Sequence, residues 1–170
     1  DLQRGNPMAL IMRGMAYELI GETRLARADY ASAGAAFAPV RPYTDLLALL
    51  LNRAAGDADG AEAILAEHGP GAGTSAWPDQ LFDFVAGRRD FAALLAGAHT
   101  PNETVEAYYY GGVQALLEGR RAEAVERLRQ SAARNCTEVP EGEFAMARLR
   151  VLGVEDLPGA CTFSPTEGNP

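Results

Sequence analysis

From Met8 to Ile20 the apolar positions fall at Met8, Ile11, Met12, Met15 and Leu19, a spacing of three and four that predicts one face of a helix. Gly21 breaks it. A second helix from about Thr23 to Phe37 carries Leu25, Ala26, Ala28, Tyr30 and Ala33, and Pro39 and Pro42 stop it. Tyr43 to Ala55 is almost continuously apolar, the pattern of a helix buried on more than one face. After a turn at Gly56-Asp57, Ala61, Ile64 and Leu65 predict a return helix to about Glu67, and the Gly/Pro-rich run that follows reads as a linker. A shorter pair comes next: Leu81, Phe82, Phe84 and Val85 behind Trp77-Pro78, a turn at Gly87, and a return arm with Phe91, Leu94 and Leu95. Thr100-Pro101 reads as N-cap and first helical residue, with Glu103 complementing the helix dipole. Glu106 to Ser131 then parses as helix, tight turn at Gly119 and helix. Last, Phe144, Met146, Ala147, Leu149 and Val151 predict an amphipathic helix stopped by Gly153, and the tail beyond Gly159 is turn-rich.

The hairpins recur. Gly21, Gly56, Gly87 and Gly119 stand 35, 31 and 32 residues apart. Five residues after each comes an alanine (Ala26, Ala61, Ala92, Ala124), and nine after come Tyr30, Leu65, Ala96 and Leu128. Antiparallel helices joined by a short turn approach within 8–10 Å of each other, so a small side chain fits near the turn and a larger one farther along. This is the spacing of the tetratricopeptide repeat, a helical hairpin of about 34 residues. The expected fold is all-α: a right-handed α-solenoid of about four such hairpins. They cover about 7–38, 42–68, 77–98 and 101–134, with a capping helix over 141–153, all in one domain spanning 1–153. Residues 154–170 form a C-terminal tail.

Charge narrows the partners. The 170 residues carry a formal charge of -8, and every one of the 15 basic residues is Arg. An acidic surface is a poor match for nucleic acid, whose binding rests on neutralising phosphates, and for anionic lipid. No apolar run approaches the ~20 residues of a membrane span, so no transmembrane segment is expected. A leader or lipid-attachment cysteine removed before Asp1 would leave no trace in this numbering.

Catalytic motifs are missing. The run 69–75 has the glycines of a phosphate loop but no Lys and no preceding strand, and there is neither a nucleophile elbow nor a zinc-binding H-E-x-x-H. His68 and His99 stand at equivalent ends of return arms, where the helix dipole favours them, one repeat apart rather than converging. No cofactor, no metal and no catalytic residue is expected, and the chain reads as a non-enzyme. Cys136 and Cys161 can close one disulfide over a loop of about 26 residues, worth ~3 kcal/mol in the chain-entropy model. The alternative is two free thiols in a reducing compartment.

What the register offers instead is a concave face. First arms stacked in this way present Met8, Ile11, Met15 and Glu18, then Tyr43, Leu46, Leu50 and Arg53, then Trp77, Leu81 and Phe84, then Glu106, Tyr109 and Val113. Met15, Tyr43, Leu50, Trp77, Leu81, Phe84, Tyr109 and Val113 are the partner-binding candidates, suited to an apolar or helical segment. The same apolar stripe suits an interior filled by the terminal helix or a second subunit. Within the tyrosine run, Tyr108 is expected against the preceding hairpin, Tyr109 toward the groove and Tyr110 against its own partner arm. Met8, Ile11, Met12 and Met15 have no preceding helix to cover them, which predicts homodimerisation through the N-terminal hairpin.

The stretch from about Tyr43 to Gly153 resembles the C-terminal part of bacterial envelope lipoproteins of the NlpI type. The resemblance lies in Leu46-Leu47-Ala48-Leu49-Leu50-Leu51, in Trp77 before the short Phe82-Asp83-Phe84-Val85-Ala86-Gly87 hairpin, in Glu106-Ala107-Tyr108-Tyr109-Tyr110-Gly111-Gly112, and in Glu143-Phe144-Ala145-Met146-Ala147-Arg148-Leu149. It implies a non-enzymatic, often dimeric adaptor of the periplasm or envelope that presents protein or peptide partners to proteases or peptidoglycan hydrolases. This chain departs from it in its short length, its Arg-only basic set and its two cysteines. The alternatives are a cytosolic assembly or secretion chaperone on the same repeats and, from another class, an enzyme using scattered carboxylates.

Overall fold

The turn glycines set the frame. A computed structural model of the protein describes residues 5–69, 76–134 and 139–159, and among these there are nine α-helices, one 3-10 turn and no strand. The helices are α1 (Pro7–Leu19), α2 (Thr23–Ala36), α3 (Arg41–Ala54), α4 (Ala58–His68), α5 (Trp77–Val85), α6 (Phe91–Ala96), α7 (Pro101–Leu117), α8 (Arg121–Ala133) and α9 (Glu141–Val151). Gly21, Gly56, Gly87 and Gly119 each have φ between 72° and 80°, the left-handed region where a Cβ is strained. Each reverses the chain between paired helices: α1 packs on α2, α3 on α4, α5 on α6 and α7 on α8.

Helix starts follow local chemistry. Asn6 caps α1 through its side chain, with Pro7 in the first turn, and Thr100 and Glu103 form a reciprocal capping box at α7. Pro42 does not stop a helix, as the sequence pattern suggested; it stands in the first turn of α3, where its missing N–H costs nothing. The chain between α2 and α3 makes a 3-10 turn over Ala38–Val40.

Close approach within the hairpins repeats in the first and fourth. A Cβ at Gly14 would lie 2.5 Å from Tyr30 Cε1, and one at Gly112 would lie 2.7 Å from Leu128 Cγ. Both pairs join the residue seven before the turn glycine to the residue nine after it. The third hairpin breaks the alanine rule. Its turn runs two residues longer, so the helix after Gly87 starts at Phe91 whereas those after Gly21, Gly56 and Gly119 start two residues on. Ala92 is therefore exposed, and Leu94, two positions later, is buried in its place.

The first and last helices meet. Helix α9 packs on α8 and α7, as a cap for the last hairpin would, and it also reaches α1; α7 in turn touches α3 and α5. Glu18 ties this closure. Its carboxylate pairs with Arg148 of α9 and accepts the Tyr30 hydroxyl at 3.0 Å, while Arg148 Nε donates to the Tyr109 hydroxyl at 3.1 Å. Beyond α9 the chain is held as far as Asp156, whose carbonyl accepts from Arg129 at 2.9 Å. Cys136 and Cys161, and most of the glycine-rich run after His68, lie outside the described residues.

Candidate functional site

The first arms form the core rather than an open groove. Met15, Leu50, Trp77, Leu81, Phe84, Tyr109 and Val113 are all buried members of the hydrophobic core, so a partner cannot reach these seven while the domain stays closed. For them the interior reading replaces the groove reading, because the first arms α3, α5 and α7 pack on one another and α9 packs on α7 and α1. Of the remaining concave-face residues, Met8 is 42 % exposed and several others are engaged. Leu46 and Ile11 are buried. Arg53 donates to the Val85 carbonyl at the end of α5 and to Gln114 Oε1 at 3.5 Å, and Glu18 belongs to the closure.

The tyrosine run divides in three. Tyr108 packs against Phe91 of the preceding hairpin, ring centroids 5.7 Å apart, and the Arg134 guanidinium lies over its ring. Tyr109 is buried edge-on against Tyr110, centroids 5.3 Å apart, instead of facing a groove. Tyr110 sends its hydroxyl to α9, donating to Glu141 Oε1 at 3.1 Å, rather than serving only its own partner arm. His68 stacks on Phe82 and bonds Asp45 at 2.9 Å, and among the described residues no group of three or more His, Cys, Asp or Glu could hold a metal ion.

One candidate does line a cavity. Tyr43, half-buried, joins Met8, Ile11, Val40, Leu47, Val139 and Pro140 around a space of about 190 Å³ between α1, α3, α7 and α9. Its polar residues besides the Tyr43 hydroxyl are two carboxyls, Glu106 from α7 and Glu141 from the first turn of α9. Each is 5 % exposed. Trp77 Nε1 donates to Glu106 Oε2 at 2.5 Å. Glu141 Oε1 accepts from Tyr110, and Glu141 Oε2, also buried, has no hydrogen-bond partner.

Two acids share one apolar recess, where burial favours the neutral form and the charge of one acts on the other. Burial pushes the Glu106 carboxyl up to about 8, helped by the charge of Glu141 and by Glu103, and opposed by the Trp77 N–H. Burial likewise pushes Glu141 up to about 7, opposed by its backbone N–H and by Tyr110. The Tyr43 hydroxyl is raised too, by burial first and then by Glu106, Glu141 and Glu103. The pair therefore retains proton near neutral pH. Asp29 is answered by Arg13 at 2.7 Å and Glu18 by Arg148.

Glu106 falls on the inner face that the hairpin register predicts, whereas nothing in the local pattern singles out Glu141. A glutamate directly after Pro140 at a helix start reads as ordinary complement to the dipole; only the docking of α9 onto α7 and α1 buries it. No family model matches the chain, and no curated protein or solved structure matches it either.

Proposed function

We propose that this chain is a non-enzymatic interaction module built from tetratricopeptide-like hairpins, stacked with a right-handed turn, that associates through the outer face of α1. The observation that carries this is the exposure of Met8 and Met12. They stand one helical turn apart on one face of α1, 42 % and 40 % exposed, whereas the inner candidates are consumed by the core. Methionine adapts its shape to a partner at little cost, and a paired apolar stripe at the end of a helical array is where a capping contact is needed.

A second copy of the chain is the partner this face suits first, since a two-fold contact would set each α1 stripe against its equivalent. The repeated Gly14–Tyr30 and Gly112–Leu128 approaches support the tetratricopeptide reading. The likeness of 43–153 to envelope adaptors supports a place in a bacterial envelope, where such a dimer would bring proteases or hydrolases to their substrates. The test is light scattering over a hundredfold range of concentration. The wild-type chain should shift from monomer to dimer, and a Met8→Glu/Met12→Glu variant should stay monomeric with unchanged helicity. A wild-type chain that remains monomeric throughout would reject the α1 contact.

A further inference from the structure

The recess at Glu106 and Glu141 has the makings of a ligand site of its own, sharing Met8 but not Met12 with the α1 face. Its walls are aliphatic or aromatic: Met8, Ile11, Val40, Leu47 and the ring of Tyr43. Its volume of about 190 Å³ compares with the roughly 150 Å³ cavity that holds one benzene. Its polar end presents carboxyl oxygens, one of them, Glu141 Oε2, buried and without a partner. Among the described residues neither Glu106 nor Glu141 has a basic side chain paired to it. The other groups facing the two acids are Trp77 from α5, Tyr43 from α3, and Glu103 and Tyr110 from α7. None of them is a cation.

We propose that this cavity binds a small organic amine with an apolar body of about one ring, its ammonium group donating to Glu141 Oε2 and facing Glu106. The polarity selects the class. A carboxylate or phosphate would meet two acids, and a purely apolar molecule would leave Oε2 unmet, which is costly for a buried polar atom. An ammonium group supplies N–H donors and the missing positive charge, and such charge-assisted bonds are about twice as strong as neutral ones. The cavity takes up an ammonium only against an ionised carboxyl, so protons held by the pair leave as the ligand enters. Affinity therefore rises with pH between 6 and 8, and the rise is set by the protons released.

The chain's single tryptophan is the reporter, because Trp77 bonds Glu106 directly. Benzylamine titrated into the full chain at pH 8 should change Trp77 fluorescence saturably. Benzyl alcohol, of the same shape but uncharged, should bind at least tenfold more weakly, and benzylamine affinity should fall about tenfold at pH 6. Glu141→Gln should lose at least tenfold in benzylamine affinity while leaving benzyl alcohol binding in place. The proposal is overturned if benzylamine gives no saturable change, if benzyl alcohol binds as tightly in the wild-type chain, or if a folded Glu141→Gln variant keeps full affinity. The alcohol comparison needs no variant, so it decides even if the substitution impairs folding.

Discussion

Raising the pH from 5 to 8 should weaken this fold, and Glu141 should account for much of the loss. In the unfolded chain its carboxyl titrates at the ordinary 4.5, and in the folded chain burial holds it at about 7. Between these values the folded state binds more protons than the unfolded one, so stability falls as pH rises. The stabilisation is complete below 4.5, is lost progressively above it, and the loss is finished once pH passes the folded value. With one pKa unit equal to about 1.4 kcal/mol, Glu141 alone should cost on the order of 3 kcal/mol across the window. Glu106, raised to about 8 by the same burial and by Glu141 itself, extends the decline to higher pH. It does not add independently, because the two acids perturb each other. Glu118, whose carboxyl is lowered chiefly by its hydrogen bond from Gln114, acts below this window and does not oppose the trend. Urea unfolding at pH 5, 6, 7 and 8, followed by Trp77 fluorescence and far-ultraviolet dichroism, measures the effect directly. Glu141→Gln removes the titration but keeps an oxygen to accept from Tyr110. The informative quantity is thus the difference between variant and wild type at the two ends. Relative to wild type the variant should gain on the order of 3 kcal/mol on going from pH 5 to pH 8. Wild-type stability that is level or rising over this range, with the variant running parallel, would refute the buried-acid reasoning.

Other substitutions probe the closed core. Trp77→Ala, Phe84→Ala and Tyr109→Ala should each destabilise by about 3–5 kcal/mol, as for other large core truncations, visible as a large drop in thermal midpoint; midpoints within a few degrees of wild type would return these residues to an accessible face. Gly112→Ala should cost about 1–3 kcal/mol by overpacking, since its new Cβ would sit 2.7 Å from Leu128 Cγ. A Gly112→Ala/Leu128→Ala pair should show non-additive costs in a double-mutant cycle. Arg148→Met should lose about 3–5 kcal/mol because it strands Glu18 without its counter-charge, and Glu18→Gln added to it should recover part of the loss; no recovery in denaturant melts would mean the pair is not what joins α9 to α1.

Much of the fold was legible from local rules. Gly21, Gly56, Gly87 and Gly119 mark the reversals because few other residues accept a positive φ, and the Thr100–Glu103 start of α7 follows from backbone donors that need partners. Residues close in sequence determine these features, so one chain read alone suffices. Ala92 marks where such reading fails: two extra turn residues after Gly87 shift the register, and spacing from the glycine no longer reports the buried face.

The inner face is a different kind of question. An apolar stripe on first arms has the same pattern whether it lines a groove or fills an interior, because both exclude water with the same side chains. Only long-range packing decides the matter: α3 and α5 dock on α7, and α9 returns to α1 through Arg148 and Glu18, so that Met15, Leu50, Trp77 and Tyr109 are core. The same long-range docking buries Glu141 beside Glu106 and turns a routine helix-start acid into half of a proton-retaining pair.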